Sequence, residues 1–255
     1  MKILVVGDVY GRVGLDFLAK MLRKLKKQHG ADMVIVNGEN SGGNGLVPSH
    51  ADEIFAAGAD IITLGNHALD MHQIHDYADE CRYMARPMNL PPQQPGFGYS
   101  KMEVCGKTVC VIPLLGRAHM GRFDYENPFR IIDEFLKKDD SDIYIVDFHA
   151  ETTSEKKAMG YFLDGRVSAV FGTHTHVQTA DEQILPLGTG YITDVGMCGA
   201  YHSVIGVDRE QAVARFRGDI VGRHKESKEA PFLCGIVFTL DENGKCTDVL
   251  RIQER

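Results

Sequence analysis

Short apolar runs rich in β-branched residues, each ending in a polar turn and followed by a helix-patterned segment, constrain this chain more than any other feature. "KILVVGD", Lys2 to Asp8, is followed by Leu15, Leu18, Met21, Leu22 and Leu25 at helical spacing, with Gly30 placed to stop the helix. "MVIVNGEN", Met33 to Asn40, reads as a second strand. The next segment, "PSHADEIFAAG", reads as a helix with Ser49 as N-cap, Asp52 as its capping partner and Gly58 as terminator. "DIITLGNH", Asp60 to His67, is the third strand, and a polar helix over His72 to Cys81 follows. Strand, helix and strand in this order build parallel βαβ units.

After a Pro-rich loop, "RPMNLPPQQPG", the pattern changes. "GYSKMEVCGKTVCVIPLLG" alternates apolar and polar residues around Gly106 and predicts a hairpin. "NPFRIIDEFLKK" is a helix with Asn127 as N-cap and Pro128 at its first position. "DIYIVDFHAE" is a buried strand, "TSEKKAMGYFLDG" a helix and "VSAVFGTH" another strand. The C-terminal stretch predicts a hairpin around Asn243-Gly244, a strong turn signal. No repeat or linker interrupts the 255 residues. The expectation is one α/β domain over residues 1–255, with parallel units first and strands of a second, mixed sheet after them.

Several partner classes are disfavoured. The formal net charge is −7, and the one dense basic tract, Arg23 to Lys27, sits on a helical pattern as a solvated face, so stable binding of a nucleic-acid duplex is not expected. The six cysteines are scattered without a C-x-x-C pair, and the first apolar run is short and ended by Asp8. No apolar run has the length of a membrane span. The reading is a reduced, cytoplasmic protein with a small-molecule partner and no membrane partner.

The polar residues fall in one kind of place. Five apolar strands end in Asp8, in Glu39-Asn40, in Asn66-His67, in His149, and in His174-Thr-His176. Strand C-terminal ends in parallel α/β sheets share one edge, where ligands bind. Singly, each residue has an ordinary explanation: Asp8 as a helix cap, Asn40 and Asn66 as turn formers, His149 as a core histidine. Jointly they place oxygen and nitrogen donors on one rim, and alternation along a strand would point both rings of the H-x-H pair the same way. A donor set without cysteine suits Mn, Fe, Mg or catalytic Zn. About seven donors exceed what one ion with an open position needs, so two ions bridged by a carboxylate are expected, roughly 3.5–4 Å apart as in phosphoryl-transfer sites. Such a pair is the usual clamp for in-line displacement at phosphorus and lowers the pKa of a bound water.

The ordered series Asp8, Gly-Glu39-Asn40, Gly-Asn66-His67, His149, Gly-x-His174-x-His176 resembles the signature of calcineurin-like metallophosphoesterases, D-x-H, G-D-x-x-D, G-N-H, H, G-H-x-H. Tyr10 stands where that signature has its first histidine, and Glu39-Asn40 replaces the bridging aspartate segment. Those departures resemble the bacterial YmdB-like branch. The resemblance implies two mixed β-sheets packed as a sandwich flanked by helices, and 2′,3′-cyclic nucleotide phosphodiesterase activity. It also implies a di-iron or di-manganese centre, with Zn or Mg as further options. By this mapping Asp8, Glu39, Asn40 and His176 hold one ion, and Glu39, Asn66, His149 and His174 hold the other. The leaving ribose oxygen of such a substrate would need a proton, and His67, which follows Asn66 and is not needed as a ligand, is the candidate general acid. A homo-oligomer is compatible with the same resemblance.

Three functions stay open at this point. They are hydrolysis of small cyclic nucleotides to nucleoside monophosphates, a phosphomonoesterase or phosphoprotein phosphatase activity, and a weakly active metal- or nucleotide-binding regulator. The Gly-rich segments Gly116 to Asp124 and Thr193 to Gly206 are equally readable as substrate contacts or as ordinary loops.

Overall fold

The computed structural model describes residues 1–121 and 125–255, and residues 122–124 of the Gly116 to Asp124 segment lie outside the described residues. Two sheets carry the architecture. The first runs in the order β2 (Asp8–Val9), β12 (Met197–Ala200), β13 (Pro231–Leu240), β1 (Lys2–Val6), β3 (Met33–Asn37), β4 (Ile61–Thr63) and β5 (Met84–Ala85), with β14 (Cys246–Glu254) paired to β13. The second runs β10 (Gln183–Ile184), β11 (Gly190–Ile192), β9 (Ala169–Thr173), β8 (Ile143–His149), β7 (Lys107–Leu115) and β6 (Ser100–Val104). Strands β1, β3, β4 and β5 are mutually parallel, as are β7, β8, β9 and β11. The remaining main partners, β13, β14, β6 and β10, run antiparallel.

Period-2 patterning explains the layering. Ile3 and Val5 of β1 and Met33 and Ile35 of β3 meet Val109, Val111, Ile145 and Phe171 of the second sheet in one core. The alternate residues Leu4, Val6, Val34 and Val36 face away and pack on Leu15, Leu18, Leu22 and Leu25 of α1 (Gly11–His29) and on Ile54 of α2 (Pro48–Ala57). Behind the second sheet, Val146, Phe148 and Val170 pack on Ile132 of α4 (Pro128–Leu136) and Met159 of α5 (Thr153–Leu163). Strands covered on both faces are apolar throughout, which is why these runs are continuous rather than alternating in sequence. The expected sandwich of two mixed sheets flanked by helices is the observed fold.

Local chemistry follows the sequence in most elements. Gly30 closes α1 in the left-handed conformation, at φ 62°. The Asn127 side chain accepts from the Phe129 and Arg130 amides, with Pro128 in the first turn of α4. The hairpins at Gly106 and Asn243-Gly244 are present as β6–β7 and β13–β14. Two expectations are corrected. Ser49 does not cap α2: Val47 occupies the N-cap, and Pro48 starts the helix two residues earlier because its fixed φ suits that position. The C-terminal hairpin does not extend the second sheet, because β13 inserts beside β1 in the first sheet. The polar helix is α3, Ile74–Glu80, shorter than expected at its N-terminus. A sixth helix, α6 (Arg209–Phe216), was absent from the sequence reading. Among the described residues, no helix is long and apolar enough to cross a membrane.

Candidate functional site

The parallel strands of both sheets direct their C-terminal ends to one edge, and the turns beyond them deliver the site. Asp8 opens β2, Glu39 and Asn40 follow β3, Asn66 and His67 follow β4, His149 ends β8, and His174 and His176 follow β9. Asp8, Glu39 and His149 are fully buried, and Asn40 and His176 nearly so. All seven expected donors and His67 therefore meet at one place in the structure.

One cluster centres on His149. Its Nε2 lies 3.0 Å from Glu39 Oε1, 2.8 Å from Asn66 Oδ1 and 3.1 Å from His174 Nδ1. Glu39, His149 and His174 each offer a ligand atom, and the three atoms lie within 4.8 Å of one another. Three lone-pair atoms crowd a nitrogen that can carry only one proton, a geometry better matched by a multivalent cation. Gly65 makes the packing possible: a Cβ there would fall 2.4 Å from His149 Nε2 and 2.5 Å from Glu39 Oε2.

A second cluster shares Glu39. Asn40 Nδ2 lies 3.2 Å from Glu39 Oε1 and 3.2 Å from His176 Nε2. His176 Nε2 lies 3.7 Å from Asp8 Oδ1, a buried carboxylate oxygen with no hydrogen-bond partner among the described residues. Asp8 Oδ2 accepts from the His174 amide at 3.3 Å. Asn66 already presents its amide oxygen to the first cluster, whereas Asn40 presents its amide nitrogen. A half-turn of the Asn40 amide exchanges the two atoms without moving the backbone.

The electrostatics couple the buried carboxylates of this donor set to the His149 ring. Burial alone would raise the Glu39 carboxyl, but the charge and hydrogen bond of His149 hold it down at about 2. Burial lowers His149, and the facing Glu39 more than reverses this, pushing the ring up to about 9. Burial and the neighbouring His149 charge hold His174 down at about 3, so its ring is neutral. Burial raises the Asp8 carboxyl, opposed in part by His176.

A second layer fixes the donors. His149 Nδ1 pairs with Thr173 Oγ1 at 2.8 Å, and that hydroxyl donates to Asp147 Oδ1 at 2.6 Å. Asp147 Oδ2 also accepts from Thr63 Oγ1 and Asn37 Nδ2, and burial raises its carboxyl to about 6. Asp194 accepts from the Thr175 amide and hydroxyl and from Lys156 Nζ at 2.6 Å. Lys156, almost fully buried, also donates to the Thr173 carbonyl at 2.7 Å. This pair grips the turn on which His174 and His176 sit.

That turn corrects the H-x-H expectation. The two histidines lie beyond β9, not along it, at φ 99° and 63°. Left-handed backbone, rarely adopted by non-glycine residues, sends one ring to His149 and the other to Asn40 and Asp8. His176 is then held by its Nδ1 on the Ile205 carbonyl at 2.9 Å and by the Tyr10 ring, edge-on at 5.6 Å. Thus part of the Thr193 to Gly206 segment supports the site from behind. His67 lines the cleft, its amide donating to Glu39 Oε2 at 3.1 Å and its Nδ1 paired with Asp70 at 2.7 Å.

Known proteins resemble this chain in sequence and in fold. The family model of YmdB-like proteins matches residues 4–252. The chain is 42% identical over 248 residues, 96% of its length and 93% of the relative's, to a 2′,3′-cyclic-nucleotide 2′-phosphodiesterase of Bacillus subtilis. The crystal structure of a phosphatase from Mycoplasma pneumoniae superposes with a TM-score of 0.94 at 37% identity, covering 100% of this chain and 93% of that one. A 5′-nucleotidase precursor from Thermus thermophilus shares the fold alone, with a TM-score of 0.56 at 13% identity over 99% of this chain and 54% of that one. With the family model spanning nearly every residue that builds the two sheets and their shared edge, the chain belongs to the YmdB-like family.

Proposed function

We propose that the chain is a single-domain, dinuclear metal-dependent phosphodiesterase of the cytoplasm that hydrolyses 2′,3′-cyclic nucleotides to nucleoside monophosphates. The convergence of Glu39, Asn66 and His174 on His149 carries this reading, with Glu39 shared by a second cluster of Asp8, Asn40 and His176. The orphaned Asp8 oxygen and the cysteine-free donor set fit hard or borderline cations, with Fe or Mn favoured over Zn or Mg. Glu39, Asn66, His149 and His174 would hold one ion; Asp8, Glu39, Asn40 and His176 would hold the other. When bound, such a pair supplies charge neutralisation to the phosphodiester and a nucleophile at neutral pH.

The chain's own groups do the rest. The Thr173–Asp147 pair orients the His149 ring, as second-layer partners commonly do for ligand histidines. Asp70 holds Nδ1 of His67, which leaves Nε2 as the ring atom that passes a proton to the leaving ribose oxygen.

The test is turnover of a substrate panel by metal-stripped and metal-restored protein. Restored protein should hydrolyse 2′,3′-cyclic mononucleotides, with phosphomonoesters, phosphopeptides and long single-stranded RNA much poorer. The formal net charge of −7 disfavours tracking of a polynucleotide backbone. Preference for a phosphopeptide or processive degradation of RNA would overturn the assignment.

Asn40 gives a sharper check on the second ion. Asn40→Ala should weaken one ion far more than the other in metal titrations, whereas Tyr10→Phe keeps the ring that packs on His176 and should leave both intact. The opposite ranking would remove Asn40 from the ligand set.

A further inference from the structure

The cleft over the candidate metal centre is small, about 170 Å³. Pockets that enclose small-molecule ligands run to roughly 300–1,000 Å³, so a nucleotide bound at its cyclic phosphate must extend beyond this cleft. A larger cavity of about 570 Å³ adjoins it and shares Tyr10, Asn44 and His224 as lining. Its outer wall comes from Arg215, in the last turn of α6, and from Arg223 and His224 in the segment that follows.

The guanidiniums in that wall are not matched by carboxylates among the described residues. Arg12, Arg166, Arg209, Arg217 and Arg251 each face a carboxylate. Among the described residues, neither Arg215 nor Arg223 does. Instead, Arg215 Nη1 lies against His224 Nε2. An anion in the cavity would accept from both arginines. Glu226 also lines the cavity: its Oε2 accepts from the Arg12 amide at 3.3 Å at the first turn of α1, and its Oε1 lies near Gly43, where a Cβ would fall 3.3 Å from it, so one carboxylate stands against the two guanidiniums. Opposite stand Gly42 and Gly43, which bring backbone rather than side chains to the cavity.

We propose that this cavity is a second anion compartment that takes a terminal phosphate on the 5′ oxygen of the nucleotide. The preferred substrates would then be 2′,3′-cyclic nucleotides that also carry a 5′-phosphate, rather than those with a free 5′-hydroxyl. The proposal rests on the phosphodiesterase reading above. Arginine suits the task because its planar donors match phosphate oxygens in pairs. A dianionic terminal phosphate gains more from two guanidiniums than the singly charged diester of an RNA chain end.

Three substrates decide the matter with metal-loaded full-length protein: adenosine 2′,3′-cyclic phosphate, its 5′-phosphorylated form, and a dinucleotide ending in a 2′,3′-cyclic phosphate. The 5′-phosphorylated form should show a kcat/KM roughly ten- to 100-fold above the other two, the range expected of charge-assisted hydrogen bonds. Calorimetry should show adenosine 3′,5′-bisphosphate binding more tightly than adenosine 3′-phosphate by a similar factor. In the Arg215→Ala/Arg223→Ala variant both ratios should fall toward one, and the corresponding double lysine variant should recover part of them. Equal kcat/KM and equal affinity for the paired compounds in the unmodified protein would overturn the compartment, as would preference for the dinucleotide alone. Failure to turn over any of the three substrates would instead overturn the phosphodiesterase reading.

Discussion

Glu39→Ala should leave the protein folded and almost empty of metal. Elemental analysis of the unmodified protein is expected to give about two transition-metal ions per chain, as in other two-metal phosphoesterase sites, and the variant well below one. The expectation follows from where Glu39 sits. It is fully buried, its Oε1 touches both His149 and Asn40, and its Oε2 accepts from the His67 amide. Among the described residues, Glu39 is the carboxylate that contacts donor side chains of both clusters, so losing it weakens both at once. Removing an outer partner of a metal ligand typically costs about 10–100-fold in affinity, and loss of a shared ligand should exceed that. Activity on 2′,3′-cyclic nucleotides should fall with the metal. Glu39→Gln separates charge from shape: it keeps the volume and one oxygen but removes the anion that raises His149. If Glu39→Ala retained both ions with normal affinity, Glu39 could not be the bridge.

How much of this was legible in the sequence depends on the range of the interaction. The strand exits were readable because a β-branched run ending in a polar turn is a local signal, and parallel order follows from the intervening helices. The same logic missed where β13 goes, since its pairing with β1 joins residues more than two hundred positions apart and no local pattern encodes it. Helix α6 was missed for a different reason. Its sequence, "REQAVARF", buries only Ala212 and so carries little apolar periodicity.

Within the site, the ligand candidates were legible and their supports were not. Asp147 could have been noticed, because it lies two residues before His149 in a strand and so shares its face. Lys156 could not: "TSEKKAMG" reads as a solvated helix, and only the fold turns that lysine inward to Asp194. A buried pair of this kind survives where its hydrogen bonds are complete, and here they hold the His174–His176 turn in left-handed backbone. The mistaken expectation of strand alternation for H-x-H has the same origin. A regular strand would put both rings on one side, whereas clamping by Asp194 and Lys156 sends each ring to a different cluster.

The last expected result separates the general acid from the ligands. His67→Ala should keep both ions, because His67 contributes only its amide to Glu39, and alanine retains that amide. It should nevertheless lose about 10²–10⁴-fold in kcat on 2′,3′-cyclic nucleotides, the usual contribution of a positioned proton donor. The loss should depend on the leaving group. A ribose alkoxide is strongly basic and needs its proton as the P–O bond breaks, whereas a nitrophenolate departs without one. A nitrophenyl phosphodiester should therefore be turned over by His67→Ala at a rate much closer to that of the unmodified enzyme. Asp70→Asn should give an intermediate loss with the same dependence, since it removes the carboxylate that fixes the imidazole tautomer through Nδ1. A residue that merely positions the phosphate would slow both substrates alike. Equal losses on the two, with metal content unchanged, would therefore assign His67 to binding and leave the proton to another donor.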